Sequence, residues 1–263
     1  VGLSGPRASV FPSRARIRAI LPPIGLQAVF REVRTEDELR QALTPKSGTD
    51  FAALIANTGR RIVIAAPITL KSPVVIDETL PGTTIESHGY LPIYCGVAGI
   101  TAFDVRAPLV TLRGLILASP DITGTGSGIT FGTAFQLAAT ADNARILDAH
   151  VFGCDVMVDG ASGCNRVRVR GCALAIGGSA VDQWGIRFDG RAWQITENEL
   201  DASGAGVAVL GGASSERSAI VGNYCGGAGI DTSAGLGSNT IGANTLAGTV
   251  TAHATDDALG GNT

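Results

Sequence analysis

Aromatic and charged residues are both scarce in this chain. Of 263 residues, 2 are Trp, 3 Tyr and 1 Met, and Asp, Glu, Lys and Arg together make up 16%, against an ordinary ~25%. A hydrophobic share of 45% still excludes a disordered chain. No apolar run approaches the ~20 residues of a membrane-crossing helix, so no membrane span is expected. Neither a Gly-X-Y period nor a heptad is present, which excludes collagen and a coiled coil. The cysteines, Cys95, Cys154, Cys164, Cys172 and Cys225, number 5 and form no C-x-x-C. They read as small buried hydrophobes, with no disulfide framework, metal or cofactor implied. A net charge of −3 gives no reason to expect nucleic acid as a partner. No secretory signal is legible, because Ile17–Phe30 is broken by Pro22 and Pro23.

Glycine is what the chain has in excess, with 36 residues. Together with the low charge it points to many short strands joined by tight turns. Charge is also unevenly placed. Arg7, Arg14, Arg16, Arg18 and Arg31 stand in the first 31 residues with four prolines and no acid, leaving −8 on the remainder. Residues 1–32 read as an extended basic arm, either docked on an acidic partner surface or solvated. Residues 33–250 are the expected folded domain, and 251–263 a tail. Two short helices open that domain. Thr35-Glu36-Asp37-Glu38 is a capping box before Leu39, Ala42 and Leu43. Asp50 can cap a second helix through Phe51, Leu54 and Ile55, ending near Gly59. From Arg61 onward only short β-branched runs follow.

Those runs repeat. An apolar lead residue, a position three later and an apolar residue five later recur as Ile85, His88, Tyr90; Leu112, Leu115, Leu117; Leu147, His150, Phe152; and Val169, Cys172, Leu174. The series continues as Ile195, Asn198, Leu200; Ile220, Asn223, Cys225; and Ile241, Asn244, Leu246. A second strand lies between successive leads, at Phe103/Val105, Phe135/Leu137, Val156/Val158, Ile186/Phe188, Val207/Val209 and Ile230/Thr232. A unit this short cannot bury its own apolar face, so successive units must stack, with parallel strands ~4.8 Å apart. Asn198, Asn223 and Asn244 then form one inward column, each bonding its neighbours. The same spacing assigns His88, His150 and Cys172 to that ladder as structural groups.

The segments Ile195-Thr-Glu-Asn-Glu-Leu, Ile220-Val-Gly-Asn-Tyr-Cys and Ile241-Gly-Ala-Asn-Thr-Leu resemble the asparagine-ladder repeat of the right-handed parallel β-helix, or pectate-lyase-like, superfamily. The helix Glu38-Leu-Arg-Gln-Ala-Leu before Arg61-Ile-Val-Ile resembles its N-terminal cap. The resemblance covers roughly residues 33–250. It implies an all-β, right-handed, single-stranded parallel β-helix with short N-terminal capping helices. Such a fold hosts many functions. The N-x-D, Asp-Asp, G-H-G and R-x-K elements of its glycosidases are absent from the coils, as is the dense acidic cluster of its calcium-dependent lyases.

Outward columns are where a site is sought. Arg113, Asp148 and Arg170 follow lead residues in consecutive coils, with Arg168 and Arg166 beside them. They form a surface ion ladder or a grip on an acidic sugar. Asp159 and Asp189 are expected one coil apart in one column with Arg187 near. That is a carboxylate spacing suited to a retaining glycosidase or half a calcium site, although each precedes a glycine and reads first as a turn. Trp184, read as part of a turn over Ala180–Gly185, is the candidate for stacking on a sugar, whereas Trp193 reads as core. The insertion Ser119–Gly132 carries G-x-G-x-G without a following helix and reads as a loop. The functional expectation is a non-enzymatic bacteriophage virion component, a spike, fibre or decoration β-helix. By resemblance it would be a homotrimer, would contact other virion proteins through the basic arm, and would contact bacterial surface polysaccharide. Two alternatives stand beside it. One is a secreted polysaccharide lyase or glycoside hydrolase using Asp159, Asp189 and Arg187, and the other a purely structural or adhesive β-helix.

Overall fold

Each repeat folds into three short strands rather than the expected two. The computed structural model behind this statement describes residues 30–48, 51–89, 91–119, 129–175, 184–201, 207–226, 229–258 and 262. The lead strand, for example Arg168–Arg170, stops at Gly171 in left-handed backbone, and the chain resumes as Ala173–Ala175. Gly114, Asp148, Glu197, Gly222 and Ala243 occupy the same bend in other coils, all with φ between 53° and 68°. A second left-handed residue precedes each lead strand: Gly59, Gly82, Leu109, Asn143, Arg166, Ala192, Arg217 and Ser238. Left-handed backbone costs an L residue about 1–2 kcal/mol. Stacking offsets it, because the bent residue's amide donates to the next coil, as Arg166 does to Arg191 O at 2.8 Å and Asp148 to Arg170 O at 3.0 Å.

The three strands of each coil feed three parallel sheets, one of ten strands and two of eight. The chain is thus an all-β parallel solenoid. Inward columns form its core. Ile85, Leu112, Ile146, Val169, Ile195, Ile220 and Ile241 stack in the ten-stranded sheet, and all are buried. Leu117, Val151, Leu174, Leu200 and Cys225 stack in the second sheet, and Phe103, Phe135, Val158, Ile186 and Val209 in the third. The rings of Phe103 and Phe135 lie 6.0 Å apart, one above the other. All five cysteines are reduced and buried. Burial pushes the thiols of Cys164, Cys172 and Cys225 up to about 12.

Register settles which residues share the ladder. The lead residue of the long coil is Ile146, not Leu147, because Ile146 pairs with Leu112 and Val169. The ladder position there is Ala149, and His150 instead lies half-buried on the outer face of the second sheet, its ring 6.5 Å from that of Phe152. His88 also leaves the column. Ile93 pairs with Leu117, so three extra residues lengthen that corner and His88 turns into solvent. Cys172 does stand in the column, its amide donating to Asn198 Oδ1 at 3.0 Å. Asn198, Asn223 and Asn244 follow, each Nδ2 donating to a backbone carbonyl of the coil below and to the next Asn Oδ1. Sequence spacing does not reveal a second buried polar column two residues before the lead positions. There the Trp193 amide donates to Ser218 Oγ, the Ser218 amide to Asn239 Oδ1, and the Asn239 amide to Asp256 Oδ1.

The solenoid reaches beyond both expected boundaries. Phe30–Val33 pairs in parallel with Arg61–Ile64, so residues 30–32 are strand and not arm. The remainder of the arm lies outside the described residues. At the other end Val250–Thr251 and Asp257–Ala258 add strands to two sheets, within what reads as tail. The helix Glu36–Ala42 starts at Thr35, whose Oγ1 accepts from the Glu38 amide, and it packs on the strands Phe30–Val33, Arg61–Ile64 and Ile68–Leu70, with Leu39 and Ala42 buried in the common core. A second helix spans Phe51–Asn57 and stops before Gly59. No helix among the described residues is long and apolar enough to cross a membrane.

Candidate functional site

The third sheet presents the outward surface where aromatic and paired polar groups meet. Its strands share a five-residue pattern, seen as Thr101-Ala-Phe-Asp-Val, Trp184-Gly-Ile-Arg-Phe and Val207-Ala-Val-Leu-Gly, in which the first and fourth residues face out. The second position is small because the next coil's backbone lies against it. A Cβ on Gly185 would sit 2.5 Å from Ala208 O. Two outward rows result. One carries Thr101, Thr133, Val156, Trp184 and Val207. The other carries Asp104, Gln136, Asp159, Arg187 and Leu210.

Asp159 and Arg187 pair across this sheet by two hydrogen bonds, Nε to Oδ1 at 2.6 Å and a terminal guanidinium nitrogen to Oδ2 at 2.7 Å. Gln136 Nε2 donates to Asp159 Oδ2 at 3.1 Å. Asp159 is only 8% exposed. Its carboxylate is therefore held in a fixed fork by partners one coil to either side, an arrangement worth more than a surface ion pair. The Arg187 guanidinium carbon stands 5.1 Å from the centre of the Trp184 ring, which is half-buried. That guanidinium lies over the ring, so the ordered polar row packs against one face of Trp184. The connections from the second sheet to this one run between residues 118 and 131, 175 and 184, and 201 and 207. The G-x-G-x-G segment falls within the first of these in sequence and outside the described residues.

Asp189 does not share the Asp159 column. Register sets Arg187 beside Asp159, while Asp189 lies past the strand end and accepts from the Ser214 amide. The two carboxylates thus answer different neighbours. Of their following glycines, Gly160 ends the strand Cys154–Gly160 and Gly190 lies in a bend, and neither has positive φ. A Cβ on Gly160 would overlap the Trp193 ring, and one on Gly190 the Cys164 carbonyl. Close packing selects both. Trp193 itself is fully buried, donating from Nε1 to Cys164 O at 2.8 Å. Sequence reading overlooks Asp155, half-buried on the same sheet with no hydrogen bond or ion pair among the described residues. Burial alone pushes its carboxyl above the usual range.

The arginine ladder lies elsewhere, on the ten-stranded sheet. Arg113 pairs in register with Leu147, not Asp148, and Leu147 with Arg170. Asp148 occupies the left-handed bend and reaches Arg113 at 3.4 Å, both groups being well exposed. Arg170 meets Glu197 at 2.9 Å, and Arg168 donates to Gln194 Oε1 at 2.9 Å. Among the described residues no group of three or more His, Cys, Asp or Glu side chains is arranged to hold a metal ion. The chain matches no protein-family model, no curated protein and no solved structure.

Proposed function

We propose that this solenoid is a non-enzymatic glycan-recognition and structural component of a bacteriophage particle, holding bacterial surface polysaccharide along its third sheet. One observation carries the reading: Trp184, braced by the Arg187–Asp159–Gln136 row, is a fixed aromatic surface flanked by donors and acceptors. An aromatic face takes the apolar face of a pyranose, and planar amide and guanidinium groups bind its hydroxyls. A rigid parallel stack supplies a long, flat surface with no reorganisation on binding. Catalysis is disfavoured because Asp159 is held in its ion pair and Asp189 holds a turn, so neither is poised as acid or nucleophile. The particle setting is supported by the basic arm beside an acidic body, suited to attachment on an acidic partner surface, and trimerisation belongs to the same proposal.

The test is binding and turnover on a panel of bacterial surface polysaccharides, with sedimentation to read assembly. Wild type is expected to bind without releasing reducing ends, and Trp184→Ala to weaken neutral-glycan binding by about tenfold. Glycan cleavage by a free monomer overturns the proposal in favour of the hydrolase or lyase reading.

A further inference from the structure

Near its N-terminal cap the solenoid buries a cation that no described acid neutralises. Arg60 is 4% exposed. Its Nε donates to Ala56 O at 2.9 Å and one terminal nitrogen to Ala42 O at 2.7 Å and Thr44 O at 2.9 Å. The other terminal nitrogen donates to Asn57 Oδ1 at 2.7 Å. Every one of these acceptors is neutral, and one guanidinium N–H is left over. Buried charges are ordinarily paired with opposite ones. Here the neighbours have the same sign. A cavity of about 50 Å³ opens beside Arg60, lined also by Arg31, Lys46 and Gln41 and by no Asp or Glu. The Arg31 and Lys46 side chains have no hydrogen bond or ion pair among the described residues. Both are nevertheless placed by their backbones. Arg31 pairs with Ile62, and Ile62 with Ile85, so it fills the inward column at the end of the ten-stranded sheet, where other coils hold Ile, Leu or Val. Asn57 fixes Lys46, accepting from its amide at 2.7 Å and donating to its carbonyl at 3.0 Å. Burial, and then the Arg31 charge, hold the Arg60 guanidinium below the usual arginine range.

We infer that Arg31, Lys46 and Arg60 bind a tetrahedral oxyanion, phosphate or sulfate, in this cavity. Its volume takes about four water-sized spheres, which suits such an ion and excludes a sugar ring or a nucleobase. The cations come from a strand, from the segment after the helix Glu36–Ala42, and from the residue before Arg61–Ile64. Converging from separate segments, they match the four oxygens and multiple charge of a tetrahedral ion better than a carboxylate, which one guanidinium fork satisfies. The bound ion would join those segments and relieve the repulsion between Arg31 and Arg60.

The experiment is titration calorimetry and thermal unfolding of the full chain with sodium phosphate and sodium sulfate, against sodium chloride at equal ionic strength. Wild type should bind one equivalent, and its melting temperature should climb by about 3–6 °C at ten times the dissociation constant. Arg60 holds the backbone of two segments, so the variants leave it in place. Arg31→Gln/Lys46→Gln should weaken phosphate binding about tenfold or more, while Arg31→Lys keeps most of the affinity. With like charges removed, the double variant should melt no lower than wild type in the absence of oxyanion, which separates lost binding from lost fold. An equal shift with chloride overturns the inference, because it reports screening alone. An unchanged affinity in the double variant overturns it too, as does wild type that binds neither oxyanion. Binding lost in Arg14→Gln/Arg16→Gln instead puts the ion on the basic arm and also overturns it. Glycerol phosphate bound as tightly as inorganic phosphate supports a group carried on a larger ligand, and its exclusion supports the free ion.

Discussion

Replacing Asn223 by Ala removes the middle rung of the asparagine ladder. Its side chain takes part in four hydrogen bonds. Oδ1 accepts from the Asn198 amide at 3.1 Å and from Asn198 Nδ2 at 2.9 Å, while Nδ2 donates to Ile195 O and to Asn244 Oδ1, both at 2.9 Å. The residue is 1% exposed, so no bulk water replaces these partners. Each bond contributes about 1 kcal/mol net, and a buried group left unpaired costs about 1–3 kcal/mol. The Asn198 amide and Ile195 carbonyl both lose this partner, so the loss should reach about 3–6 kcal/mol. That is a large share of the ~5–15 kcal/mol that holds a typical domain. Stacked coils communicate only with neighbours, so a broken rung should also split the unfolding transition, with coils after residue 223 melting first. Urea unfolding followed by Trp193 fluorescence and by far-ultraviolet dichroism reads both effects. The reasoning is refuted by a loss under about 1 kcal/mol with coincident transitions, since the rungs would then be exchangeable for water.

Two other perturbations test the bends and the buried charge. Gly222 and Ala243 occupy equivalent left-handed bends, and a Cβ on Gly222 meets nothing within 4 Å. Gly222→Ala should therefore cost about 1–2 kcal/mol from backbone alone, and Ala243→Gly should recover part of that amount despite its added unfolded-state entropy; equal urea midpoints for both variants and wild type would remove the argument. Asp155, whose carboxyl burial raises, loses stability as pH climbs from its unfolded to its folded pKa, because the charged form is disfavoured in the fold. Asp155→Asn should raise the melting temperature near neutral pH and make no difference below the carboxyl's unfolded range, and a pH-independent offset would contradict this.

The solenoid was legible because its columns are set by local arithmetic. Intervals of 21 to 35 residues between leads forced stacking, and the Asn198, Asn223 and Asn244 spacing named the inward corner. One-residue register was not legible. Ile146 and Leu147 are both apolar, and only pairing with Leu112 and Val169 chose between them, which moved His150 from the ladder to the surface. The third strand was hidden because the bend that creates it occupies a single position, filled by Gly in some coils and by Asp148, Glu197 or Ala243 in others.

Site residues divide the same way. Sequence alone picked out Arg187 and Asp159 as outward strand positions and Trp184 as a turn aromatic, because such side chains stand out in a chain poor in aromatics and charge; the structure makes Trp184 the first residue of a strand instead. Sequence could not say that Asp159 pairs with Arg187 rather than Asp189, nor that Gly160 and Gly190 make room for Trp193 and the Cys164 carbonyl. Composition and periodicity act along the chain, so the sequence by itself determined a stack of short parallel strands with an asparagine spine. Which side chains touch depends on how each coil slides over the next. That offset is decided only when every inward column packs at once, so the tertiary structure alone placed the charge pairs, the cavity beside Arg60 and the aromatic platform.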